Sequence, residues 1–189
     1  EKAKALEFLQ NFSDLMRSVL DHSTRHKVGL DDEIAMLEKY ILLEQQRLDY
    51  KFDFDINISQ EIQTDFFEIP GMLIQPYVEN AIWHGLSPKN SDKKLALRIY
   101  RQNGAVQYEI EDNGIGRKKA AALKGLYRKE HKSKGMELLT KRFKLLREEF
   151  GSEIKTTIDD LAETENTGGT RVIISVPFAL PWSKKEAIA

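Results

Sequence analysis

The apolar residues of this chain first change their repeat near Tyr50, and that switch limits the fold more than any other feature. In residues 1–22, Leu6, Leu9, Leu15, Met16, Val19 and Leu20 recur at spacings near three and four, the period of a helix. A polar stretch from His22 to Gly29 interrupts them. A second helix is predicted from about Asp31 to Leu48, with Asp31 or Asp32 as its cap and Ile34, Leu37, Tyr40, Ile41 and Leu48 as its apolar stripe. Beyond Tyr50, Phe52, Phe54, Ile56 and Ile58 alternate with Lys51, Asp53, Asp55 and Asn57, the period of a half-buried strand. The expectation is a helical segment, able to form a hairpin or to pack on a partner chain, followed by an α/β region.

The α/β region supplies its own punctuation. Pro70 precedes an apolar helix expected from about Gly71 to His84, with Pro76 as a kink. Leu95, Leu97 and Ile99 alternate, as do Val106, Tyr108 and Ile110, and Asn103-Gly104 between them is a strong hairpin signal. Residues 117–134 are rich in Lys and Arg without clear period, and are read as a solvated stretch. A helix is expected from Met136 to about Phe150, stopped by Gly151, then strands near 153–159 and 170–178 joined by a polar loop through Glu163–Gly169. Two hairpin-like strand pairs argue against a purely parallel sheet. The predicted fold class is α/β (α+β), a two-layer sandwich with a mixed or antiparallel sheet and helices on one face. Its parts are a helical segment 1–48, an α/β domain 49–180 and a tail 181–189.

Composition removes several function classes. A net charge of −1 gives no bulk attraction to nucleic acid or to an anionic membrane. With no cysteine, there are no disulfides, thiol nucleophiles or thiolate metal sites. No apolar run approaches the roughly 20 residues of a membrane helix. The 189 residues begin at Glu1 rather than Met, so the chain is expected to be a fragment or a processed protein.

Three segments could carry chemistry. Asp112-Asn113-Gly114-Ile115-Gly116 leaves the end of a strand, where an aspartate accepts hydrogen bonds and glycines allow close backbone approach; the same residues are ordinary turn chemistry. Asn80 and His84 are four apart and share a helix face, and a carboxamide oxygen is a hard ligand suited to Mg²⁺; a helix end with His84 helping to cap it and Gly85 ending it reads equally well. Gly168-Gly169-Thr170 is by itself a loop entering a strand.

The order and spacing of these segments resemble a known family. Ile69-Pro70 and Leu73-Ile74-Gln75-Pro76-Tyr77-Val78-Glu79-Asn80-Ala81-Ile82-Trp83-His84-Gly85 resemble the N box of LytS-type sensor histidine kinases. Asp112-Asn113-Gly114-Ile115-Gly116 is similar to the G1 box, and Gly135-Met136-Glu137-Leu138 before Lys141-Arg142-Phe143 to the G2 box and its helix. Gly168-Gly169-Thr170 with Val172, Ile174, Val176 and Pro177 resembles the closing strand, and Leu37-Glu38-Lys39-Tyr40-Ile41 with Glu44 and Arg47-Leu48 the connecting helix. The resemblance covers about residues 12–178.

That resemblance implies the ATP-binding (Bergerat) sandwich of histidine kinases, gyrase and related chaperone and mismatch-repair ATPases, with ATP and Mg²⁺ as cofactors. Asp112 would bind the adenine amino group and Asn80 would reach Mg²⁺. Glu79 and His84 would lie beside the phosphates, Gly114, Gly116 and Gly135 would let the backbone approach the nucleotide, and Thr170 would help bind adenine. The stretch 117–134 would be the ATP lid. Ser133 at a G2 glycine position, Leu138 where Asn is common and Trp83 in place of a basic residue depart from the pattern. None of His22, His26, His84 and His131 matches the family's acceptor segment, so the chain is expected to begin just after it. The implied protein is a cytoplasmic domain of a membrane-bound, homodimeric sensor that passes phosphate from ATP to a histidine and on to a response regulator. An ATPase of the same fold, with Glu79 activating water, and a degenerate binding or dimerisation module are the competing readings.

Overall fold

The computed structural model describes residues 2–25, 27–47, 52–64, 67–90, 92–127, 141, 144, 154–161 and 168–177, with the backbone alone at 3–5 and 123–127. The chain divides into two compact units, one taking in Glu1–Lys51 and Gln63–Gln75, the other Phe52–Ile62 and Pro76–Pro181.

In the first unit, helix α1 (Lys2–Thr24) is followed by a short strand β1 (Val28–Gly29) and helix α2 (Leu30–Arg47). β1 pairs with β3 (Glu68–Ile69) in an antiparallel two-residue ladder, too short to leave a period in the sequence. α2 starts at Leu30, so Asp31 and Asp32 lie inside its first turn rather than at its cap; there they meet the positive end of the helix dipole. Ile34, Leu37, Tyr40 and Ile41 are buried, and Leu48 lies outside the described residues. α1 differs: of its apolar residues Leu15 is buried, while Leu6, Leu9, Phe12, Met16 and Leu20 are exposed.

Glu33 is the polar centre of this unit. It is fully buried, and its carboxylate accepts the backbone N–H groups of Met72 at 3.0 Å and Ile74 at 3.4 Å. His22 Nδ1 stands 3.4 Å from the same carboxylate. Hydrogen bonding to Glu33 raises the His22 pKa above its ordinary 6.5, against the opposing effect of burial. Met72 takes φ +58, a conformation held here by its bond to Glu33.

The second unit is built on a five-stranded sheet in the order β2-β4-β5-β7-β6, with β2 (Asp53–Ile58), β4 (Lys94–Gln102), β5 (Ala105–Asp112), β6 (Lys155–Asp160) and β7 (Thr170–Pro177). β2 runs parallel to β4, and all other pairs are antiparallel, so the sheet is mixed as expected. Asn103 and Gly104 both take positive φ, at 52° and 73°, the conformation a two-residue hairpin requires. One sheet face carries Leu95, Leu97, Ile99, Val106, Tyr108, Ile110, Val172, Ile174 and Val176, all buried. The other face is polar. Arg98 pairs with Glu109 at 2.8 Å, Arg171 with Glu111 at 2.7 Å, and Tyr100 donates to Glu109 at 2.9 Å. This alternation is what a sheet covered on one side demands.

Two expectations need correction. The helix predicted from Gly71 begins at Gln75: α3 is Gln75–Asn80, continued by a π-helical turn over Ala81–Leu86. Pro76 therefore sits in the first turn, where a missing N–H costs nothing, and makes no kink. The stretch from 117 is helical as far as it is described: α4 runs Gly116–Tyr127. Its Arg, Lys and three successive Ala residues are strong helix formers, but alanines leave no apolar stripe for a periodicity reading to detect. The helix expected at Met136–Phe150 lies outside the described residues except for Lys141 and Lys144, which are helical. So does the end of the chain.

Replacing Glu33 by Ala should cost about 3 kcal/mol in urea unfolding, because two buried N–H groups lose a charged acceptor. Glu33→Gln, which keeps an acceptor oxygen, should cost less. The raised His22 pKa adds stability that is complete below pH 6.5 and is lost as pH rises through that raised value. His22→Ala should remove this component of the pH profile.

Candidate functional site

β5 directs one carboxylate into the covered face of the sheet. Side chains alternate along a strand, so Asp112 shares a face with Tyr108 and Ile110, and it is only 4% exposed. Its Oδ1 accepts the N–H of Gly114 at 2.8 Å. Burial pushes the Asp112 pKa from 3.8 to about 6. The Gly114 N–H opposes that rise, Glu111 adds to it, and Lys89 and the Thr170 N–H oppose it more weakly. Lys89 Nζ is itself engaged by the carbonyls of Asp92 at 2.8 Å and Asn113 at 2.7 Å. Among the described residues Asp112 is therefore a buried carboxylate without a neutralising ion pair, the arrangement expected of a binding or catalytic group.

The residues after it do separate work. Asn113 Oδ1 accepts the N–H of Lys94 at 2.8 Å, and its Nδ2 donates to the Asp92 carbonyl at 2.7 Å, which ties the strand end to the start of β4. Gly114 lies against the backbone of Gly85: a Cβ there would collide with the Gly85 carbonyl. Ile115 N–H donates to the Gly85 carbonyl at 3.0 Å. A Cβ on Gly85 would in turn stand 2.6 Å from Asp112 Oδ1. Two glycines from distant segments thus let the π turn touch the strand end.

Above Asp112 is a cavity of about 250 Å³. Its helical wall carries Tyr77, Asn80, Ala81, His84 and Gly85 from α3 and the π turn. Gly116, Arg117, Ala120 and Ala121 of α4 form a second wall. The sheet contributes Ile110 and Asp112 from β5, Ile158 from β6, and Thr170 and Val172 from β7. A mainly apolar slot with a few converging polar groups is the usual form of a small-molecule site.

Of the residues singled out in the sequence, Asn80, His84, Asp112, Gly116 and Thr170 line this one cavity. Thr170 stands directly opposite Asp112 in the β5–β7 register. Gly114 lies one layer behind, on Gly85. Glu79 is exposed and is not among the lining residues. Gly135, Ser133 and Leu138 lie outside the described residues. Sequence reasoning passed over Tyr77 and Arg117. Tyr77 precedes Asn80 and Ala81 by three and four residues, so helical spacing would have put it on their face. Arg117 had no such signal, because it stands in a run of basic residues.

A family model described as Histidine kinase matches residues 1–52. The sensor histidine kinase BtsS of Escherichia coli (strain K12) is 29% identical over 180 residues, 94% of this chain and 28% of BtsS. The sensor histidine kinase/phosphatase LytS of Staphylococcus aureus (strain MRSA252) is 31% identical over 114 residues, 60% of this chain and 19% of LytS. The chain is a homologue of the LytS and BtsS sensor histidine kinases. It spans less than a third of the length of these relatives. In fold it matches the histidine kinase domain of the blue-light activated kinase of Erythrobacter litoralis EL346, at a TM-score of 0.52 and 15% identity over 94% of this chain and 83% of that one. The two-layer α/β sandwich preceded by a helical segment is thus a fold that this chain shares with that histidine kinase domain. Among its described residues, no helix is long and apolar enough to cross a membrane.

The Asp112 pKa carries a prediction for stability without any ligand. A carboxylate whose pKa rises from 3.8 to about 6 on folding makes the folded state bind more protons across that interval. Its contribution to stability therefore falls as pH rises from about 4 through about 6, by about 3 kcal/mol in all. Asp112→Asn, which avoids burying the charge, should be more stable than the parent at pH 7.5, and the difference should shrink toward pH 4. An Asn variant less stable than the parent at pH 7.5 would mean that the carboxylate's partners outweigh its burial.

Proposed function

We propose that this chain is the ATP-binding catalytic part of a two-component sensor histidine kinase, with residues 1–48 as its helical dimerisation and connector segment and 49–180 as the nucleotide domain. The observation that carries this reading is the buried Asp112 carboxylate, facing a mainly apolar slot with Thr170 beside it. A carboxylate accepts hydrogen bonds only, so it selects a ligand edge that donates, as the exocyclic amino group of adenine does. The apolar side chains of Ile110, Ile158, Val172, Ala120 and Ala121 would take the faces of the ring.

Mg²⁺ fits the donor set. Mg²⁺ keeps waters and bridges substrate phosphates with few protein ligands, and the Asn80 carboxamide oxygen on the cavity wall is a suitable one. When bound, the ion would supply charge neutralisation at the phosphate oxygens. The work left to the protein is positioning. Asp112 and Thr170 would hold the base, Asn80 would orient the phosphate end with His84 beside it, and Gly116 on the cavity wall would allow backbone approach. Phosphate would pass to an acceptor histidine and then to an aspartate of a response regulator. Hydrolysis with Glu79 as base is the weaker reading, because that side chain is exposed and off the cavity wall.

Asp112→Asn should weaken ATP-analogue binding roughly tenfold or more, because an amide donor then faces a donor on the base. Titration calorimetry reads this, and unchanged affinity in the folded variant removes Asp112 from the site. Asn80→Ala should impair Mg–ATP binding while leaving adenosine binding nearly intact; equal losses would make Asn80 structural.

Incubated with labelled Mg–ATP, the chain should acquire no stable phosphohistidine. His22 is buried against Glu33, His84 lines the nucleotide cavity, and none of the four histidines stands in an acceptor motif. An acid-labile, alkali-stable label mapped to any of them would overturn this.

A further inference from the structure

β6 is an edge strand of the sheet, and three of its alternate residues meet the cavity or the helices around it. Thr156 Oγ1 lies 3.5 Å from the Tyr77 hydroxyl on α3. Ile158 lines the cavity. Asp160 receives a two-point contact from Arg117 at the head of α4, Nε to Oδ1 at 2.7 Å and Nη2 to Oδ2 at 3.0 Å. The edge strand therefore touches α3 through Thr156 and is bonded to α4 through Asp160.

The register shows how the second grip relates to the base-binding end. Asp112 stands opposite Thr170, and Thr170 opposite Asp160, so the three form one row across β5, β7 and β6. The row begins at the carboxylate buried beneath the cavity and ends at the carboxylate that holds Arg117. Arg117 lines the cavity with Ala120 and Ala121, which follow it by three and four residues and share its helix face. Those alanines offer only methyl groups, whereas Arg117 reaches across to the sheet with two directed bonds, and Lys118 adds a weaker electrostatic attraction to Asp160. Side-chain exposures of 50% for Arg117 and 37% for Asp160 put the pair at the rim, in contact with solvent.

We propose that Arg117 and Asp160 form a rim clasp, a positioning pair that keeps α4 over the cavity and slows the escape of a bound adenine nucleoside. The proposal rests on the nucleotide reading above. The fork-to-carboxylate geometry resists sliding of α4 along β6, which a single-point contact would not. Its exposure makes it weak and sensitive to salt, so it tunes a rate rather than the fold.

The test uses the whole chain and a ribose-labelled fluorescent adenosine, whose lack of phosphate keeps any salt effect from arising at a phosphate site. Stopped-flow displacement by unlabelled adenosine reads the dissociation rate. Asp160→Asn and Arg117→Gln should each speed dissociation roughly three- to fivefold, and the exchanged pair R117D/D160R should return it to within about twofold of the parent. Raising salt from about 20 mM to about 0.5 M should speed dissociation from the parent by a similar factor and leave Asp160→Asn almost unchanged. Dissociation indifferent to all three variants overturns the clasp alone. Acceleration by Arg117→Gln without acceleration by Asp160→Asn also overturns it, making Arg117 a direct ligand contact. Failure of the parent to bind adenosine overturns the nucleotide reading, and the clasp with it.

Discussion

The site depends on one place where two backbones touch. Gly85, in the π turn after α3, and Gly114, two residues past the end of β5, leave no room for a Cβ between them. Their contact is closed by the Ile115 N–H on the Gly85 carbonyl. It draws the helix end down onto the strand end, so the face carrying Asn80 and His84 opens over the Asp112 carboxylate. Side chains on either glycine would push the two segments apart and lift one wall from the cavity. The π turn belongs to the same arrangement: its wide hydrogen bond, Ser87 N–H to the Ile82 carbonyl at 2.8 Å, accompanies the turn that presents Gly85.

The two faces of the sheet place their carboxylates in different surroundings. On the covered face, Asp112 is buried at a cost that its hydrogen bonds offset only in part. On the opposite face, Arg98, Glu109, Glu111 and Arg171 neutralise one another across neighbouring strands. Those pairs are half-exposed and individually weak, but they let the polar face of β4, β5 and β7 stay in water. A carboxylate one residue along the strand, at Glu111, is therefore paired, while Asp112 has no ion pair among the described residues.

The helical unit is organised by a different polar group. Glu33 gathers His22 from α1 and the N–H groups of the 71–74 segment, and so joins three stretches distant in sequence through one buried carboxylate. Here the charge is satisfied within the protein, which suits a structural role. The contrast with Asp112 separates a carboxylate held by hydrogen-bond donors of its own unit from one whose burial is offset only in part.

Much of this was legible in short windows of sequence. The change of period at Tyr50, the strand alternations and Asn103-Gly104 each encode their own local geometry, because backbone sterics and side-chain spacing act over a few residues. The grouping of Asn80, His84, Asp112 and Thr170 in one region came from the resemblance of ordered motifs, not from any single motif. The parallel pairing of β2 with β4, the pairing of β1 with β3 and the start of α3 at Gln75 came only from the tertiary structure. So did α4, whose alanines leave no stripe to read, and the meeting of Arg117 with Asp160 across 43 positions. The physical reason is the same throughout. A strand's period tells which side is buried but not which strand lies beside it, and the pKa of Asp112 depends in part on Lys89 and Thr170, brought beside it from two other segments. Local conformation is decided by neighbours in the chain; partners, burial and charge environment are decided by neighbours in space.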